Sequence, residues 1–102
     1  MITEVMPAKT EAFIARRAMV AFGREKQQLK TIEELGELQT ALAKFMLGLV
    51  KPEAVITEIA DVQVMMLQME RFFGRLQVAE ERCKKLQRLS DKLDDIKMEG
   101  DV

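Results

Sequence analysis

The chain has 102 residues, with 16 basic and 17 acidic side chains, no histidine, one cysteine and a formal net charge of −1. Such a length suits one domain, residues 1–102, with a modest core, and the even charge balance does not fit a nucleic-acid-polymer or membrane binder. Cys83 alone cannot close an internal disulfide, and Glu4, Lys9 and Glu11 interrupt any apolar signal core. A soluble cytoplasmic protein is the expectation.

Leu, Ala, Met, Glu, Lys, Gln and Arg dominate, all good helix formers, and no alternating β-branched run or Gly-rich phosphate loop occurs. The pattern predicts an all-α fold of four helices. The first covers about 8–22. The second, about 24–47, carries Leu29, Ile32, Leu35, Leu38, Leu42, Phe45 and Met46 at helical spacing, and Gly48 ends it. Pro52 suits the first turn of the third helix, which reaches about residue 73 and is closed by Gly74. Its uncharged stretch, 62–69, is far too short to cross a bilayer. The fourth, about 76–96, has a narrow stripe of Leu76, Ala79, Cys83, Leu86, Leu93 and Ile96, and residues 97–102 read as a frayed polar tail. On that stripe Cys83 reads as packing, not as a nucleophile.

Chemistry concentrates in two acidic patches, Glu33-Glu34-x-x-Glu37 and Glu58-x-x-Asp61, with twenty residues between them. Three-residue spacing puts Glu34 beside Glu37, and Glu58 beside Asp61, about 5–6 Å apart on one helix face. If the second and third helices lie side by side, up to five carboxylates converge, at about 4 kcal/mol per like-charge pair near 4 Å at an intermediate dielectric. A divalent cation would relieve that repulsion. Oxygen-only ligands suit Mg²⁺, Mn²⁺ or Ca²⁺, and the absence of His rules out the Glu-x-x-His pattern of di-iron bundles. Mg²⁺ usually completes its shell with waters and substrate phosphates, which points to a phosphate-bearing substrate.

Each motif has a plainer reading beside the functional one. Glu-Glu-x-x-Glu alone is commonly a solvated face. Glu58 is harder to dismiss, because helical projection sets it among Val62, Met65, Met69 and Phe72, where a bare carboxylate is costly. No basic residue lies between Glu53 and Glu70, and the two motifs together favour a site. Lys84, Lys85 and Arg88 would ordinarily be a solvated basic face, but could also meet phosphate. The third helix is apolar nearly all round, so a bundle completed by homo-oligomerisation is expected, as a dimer or a dimer of dimers.

The two motifs, EELGE and EIAD, resemble those of the MazG-like all-α nucleoside triphosphate pyrophosphohydrolases, a superfamily that also contains dimeric dUTPases and phosphoribosyl-ATP pyrophosphatases. The likeness covers about residues 22–93 and includes FGREKQQLKTIEELGELQTALAKF and EIADVQVMMLQMERFFG. It implies a four-helix MazG-like bundle that cleaves a (deoxy)nucleoside triphosphate to the monophosphate and pyrophosphate, in nucleotide-pool house-cleaning. By motif position, Glu34, Glu37, Glu58 and Asp61 would bind Mg²⁺, with Mn²⁺ as a possible substitute. Glu33 would complete the site or orient the attacking water, with Glu34 able to share that duty. Lys85 and Arg88 match two positions of a Lys-aromatic-x-Arg-Arg segment on the last helix of several members, while its aromatic and second Arg are missing here. Cys83 replaces an Asn common in relatives, which weakens any inference about base or sugar. Gln28 is a candidate nucleobase contact, although an exposed helical Gln explains it equally well. Two other classes stand against the enzyme: a non-catalytic helical module with a structural cation, and a chaperone or regulator that binds partners through the third helix.

Overall fold

The computed structural model describes residues 5–100, with side chains described through residue 96. Among them every regular element is helical: α1 (Ala8–Phe22), α2 (Arg24–Met46), α3 (Pro52–Phe73) and α4 (Arg75–Gly100). The expected helix ends hold to within a residue except in α4, which continues to Gly100; residues 101–102 of the expected tail lie outside the described residues. No described helix is long and apolar enough to cross a membrane. Contacts divide the chain into one unit ending at Phe72 and another beginning at Phe73.

In the first unit, glycine sets both joints. Gly23, at φ +87°, is the single residue between α1 and α2, and its N–H donates to Met19 O while its carbonyl accepts from Gln27 N. α1 packs on α2 and buries Ala15. Gly48, at φ +74°, closes α2 in a left-handed turn: Gly48 N–H donates to Phe45 O and Leu49 N–H to Lys44 O, at 2.9 Å each. These two bonds form a Schellman cap, which satisfies carbonyls that a helix end leaves unpaired.

α2 and α3 run antiparallel, with Gln27 opposite Gln68 and Glu34 opposite Glu58 and Asp61. Gln27 Nε2 donates to Gln68 Oε1 at 2.6 Å, and Thr31 Oγ1 donates to Gln27 O at 2.7 Å. The Arg24 guanidinium lies over the Phe72 ring, 4.6 Å from its centroid, and ties the start of α2 to the end of α3.

Burial departs from the usual arrangement. Of the six side chains buried among the described residues, four are polar (Gln27, Thr31, Glu34 and Gln68) and two, Ala15 and Met65, are apolar. Large apolar residues face outward instead, among them Phe13 and Phe22 on α1, Ile32 and Leu35 on α2, and Ile56 and Val64 on α3. Phe13, Phe22, Phe45 and Phe73 are exposed.

The second unit is α4, whose Leu76, Leu86, Leu89, Leu93 and Ile96 are exposed. Cys83 is exposed as well, so within this unit it is not the packing residue that the stripe suggested.

The Gln27–Gln68 bond generates a stability prediction. Gln68→Leu orphans a buried amide and should cost about 1–3 kcal/mol. The Gln27→Leu/Gln68→Leu double variant should recover most of that loss, because neither polar group is then stranded. Urea denaturation of the three variants reads the coupling directly, and strictly additive losses would contradict it.

Candidate metal centre

The acidic motifs meet across the α2–α3 seam. Glu33, Glu34 and Glu37 can each bring an oxygen within 4.8 Å of the others, and so can Glu34, Glu58 and Asp61. Glu34 belongs to both groupings. The reason is helical phase. Positions 27, 31 and 34 recur at the four- and three-residue spacing of one helix face, and Glu58, Asp61, Met65 and Gln68 do the same on α3. All five acids singled out by sequence therefore gather in one place.

The groups differ sharply in environment. Glu33, Glu37 and Asp61 are exposed, Glu58 is half-buried, and the Glu34 side chain is about nine-tenths buried, at 9% exposure. Glu34 Oε2 and Glu58 Oε2 are both buried and find no hydrogen-bond partner among the described residues. A buried carboxylate oxygen without a donor is costly, commonly about 1–3 kcal/mol and more when charged. Two of them facing one seam fit a hard cation, and the oxygen-only donor set suits Mg²⁺ or Mn²⁺ better than zinc.

Electrostatics carry the same mark of crowding. The charge of Glu34 is the main cause that holds the Glu37 carboxyl above its ordinary range, followed by desolvation and by the charges of Glu58 and Glu33. Lys30 answers part of this charge. Its Nζ lies 3.3 Å from Glu34 Oε1 and 3.8 Å from Glu33 Oε1, and the hydrogen bond to Glu34, with the two negative charges, lifts its pKa above the usual lysine value.

Two clefts flank the acids. One, of about 690 Å³, includes Glu33, Glu37, Thr40, Lys44, Thr57 and Glu58 in its lining. The other, of about 440 Å³, includes Phe22, Lys26, Gln27, Lys30, Glu33 and Met65. Glu33 borders both.

The remaining sequence candidates are placed less tellingly. Gln28 is half-buried on α2, but it is its neighbour Gln27 that enters the seam. Lys85 and Arg88 are exposed on α4, in the second unit. Sequence reasoning passed over Lys30 and the Gln27–Gln68 pair. The spacing of Lys30 to Glu33 and Glu34, three and four residues, was a readable signal for the first; for the second there was none before α2 and α3 were aligned. No family model, curated protein or solved structure matches this chain.

The raised Glu37 sets a pH dependence. A carboxyl held above its ordinary value keeps its proton longer in the folded state than in the unfolded one, so the folded state binds more protons in that window. Stability of the cation-free protein should then fall as pH rises from the ordinary carboxylate range through the raised value. Saturating Mg²⁺ should flatten this fall and raise the melting temperature at pH 7. Thermal melts from pH 4 to 7.5, with EDTA and with Mg²⁺, make the comparison; superimposable curves would speak against an assembled cluster.

Proposed function

We propose that this chain is a Mg²⁺-dependent nucleoside triphosphate pyrophosphohydrolase of the MazG-like type, working as a cytoplasmic homo-oligomer. Its reaction would convert a (d)NTP to the (d)NMP and pyrophosphate, in keeping with clearance of unwanted nucleotides. The observation that carries this reading is the pair of buried, donorless oxygens, Glu34 Oε2 and Glu58 Oε2, in carboxylates that converge from two helices. Carboxylates cannot by themselves recognise a polyanion. They can do so through a shared divalent cation, which would neutralise the triphosphate and make water more acidic.

The chain's own residues divide the work. Glu34, Glu37, Glu58 and Asp61 supply the ligands for divalent cation, with Glu34 common to both oxygen groupings. Glu33 is exposed, borders both clefts and has Lys30 Nζ 3.8 Å from its Oε1, and its carboxylate would accept the proton of the attacking water. The new bond joins that water oxygen to the α-phosphorus, the α–β anhydride bond breaks, and pyrophosphate leaves with the bridging electron pair. The 690 Å³ cleft is within the size range of small-ligand sites and offers Thr40, Thr57 and Lys44 to the rest of the nucleotide. Gln28, Lys85 and Arg88 are further candidates for substrate contact.

The outward apolar residues of α1, α2 and α3 support the oligomer. A monomer rarely exposes so many large side chains on one small unit, and a second copy of the same helices offers a matching apolar surface. The same exposure also supports the competing reading, a helical interaction module with a structural cation, which predicts cation binding without turnover.

Pyrophosphate release from a panel of NTPs and dNTPs with Mg²⁺ separates the two. Turnover should fall about 10²- to 10⁴-fold in Glu33→Gln and to background in Asp61→Asn, with helicity unchanged. No release from any nucleotide would leave the module. Light scattering should return two or four times the 11.7 kDa chain mass, and a monomer at micromolar concentration would defeat the assembly proposal.

A further inference from the structure

The two oxygen groupings that share Glu34 are not equivalent. In the first, Glu33, Glu34 and Glu37, a positive charge is already present: Lys30 Nζ lies 3.3 Å from Glu34 Oε1 and 3.8 Å from Glu33 Oε1. In the second, Glu34, Glu58 and Asp61, the ammonium reaches Glu34 alone, no described ion pair involves Glu58 or Asp61, and both residues with a donorless buried oxygen belong to it. The two oxygens of Glu34 differ in their surroundings. Oε1 faces the ammonium, whereas Oε2 is buried and without a donor.

We infer that Lys30 is a built-in counter-ion that bars a metal from the Glu33–Glu34–Glu37 grouping, so that the resting protein has one tight divalent-cation site per chain, at Glu34, Glu58 and Asp61. A second ion enters the first grouping only when the ammonium moves away. This rests on the metal-centre reading above and adds to it the number and order of ions. The exchange is physically easy on the lysine side. Lys30 is half-exposed, and ion pairs of that kind are weak. The cleft of about 440 Å³ that Lys30 itself borders gives its side chain another place to lie. The buried oxygens of the second grouping have no such alternative, since water does not reach them.

Mn²⁺ titration of the full chain, followed by the paramagnetic resonance of the free ion, counts the sites without any need for turnover. Wild type should bind one tight ion per chain. Lys30→Met keeps a long helix-forming side chain but no charge, and should bind two, with affinity at the added site at least about tenfold above wild type. Lys30→Gln should give the same count of two. Lys26→Met removes an equal charge from the same cleft without touching an ion pair of the cluster, and should stay at one. Two comparable ions in wild type, or one in both Lys30 variants, overturns the counter-ion while the metal centre stands. So does a second ion in Lys26→Met, because the gain would then be a general field effect. No ion in any protein removes both readings together.

Discussion

The first unit is governed by carboxylates held where water does not reach. Glu34 sits nine-tenths buried in a helix seam, Glu58 has a buried oxygen in the same cluster, and no donor among the described residues meets Glu34 Oε2 or Glu58 Oε2. Hydrophobic residues could fill that seam more cheaply, since replacing buried charge by packed apolar groups is commonly neutral or stabilising. The sequence retains acids there, and α2 and α3 are aligned so that they face one another. The seam thus concentrates negative charge, and Lys30 offsets part of it.

The rest of the seam follows from that requirement. Gln27, Thr31 and Gln68 continue the polar stripe beside Glu34, joined by bonds of 2.6 and 2.7 Å. Met65 is the one buried apolar residue described on α2 and α3, whereas Ile32, Leu35, Ile56 and Val64 are exposed. A hydrophobic interior is the main favourable term in folding, and a single chain of this kind collects little of it. Burial of these residues in the proposed assembly would add to it.

Much of this was legible in the sequence. Helical punctuation by Gly23, Gly48, Pro52 and Gly74 gave the four elements, because a left-handed turn or a fixed φ is a local demand that a local residue meets. The five acids were legible too, since spacing of three and four residues places groups on one helix face whatever lies opposite. The inversion of burial was not. Hydrophobic periodicity identifies the apolar face of a helix but not what covers it, and Leu29, Ile32, Leu35, Leu42, Phe45 and Met46 of the second helix's apolar stripe are exposed. Gln27 and Gln68 lie forty-one residues apart, and only the alignment of two helices gives either of them meaning. Lys30 was within reach from spacing alone, three and four residues before Glu33 and Glu34.

The connection at 47–51 has one further implication. Its Schellman cap, built on Gly48, ends α2 without reference to α3, and the bonds that align the two helices lie at the far end of the pair, at Gln27 and Gln68. The alignment of the acids is therefore clasped from the open end of the hairpin and not dictated by its bend. A change of side chain within that bend therefore leaves the atoms of the clasp itself untouched.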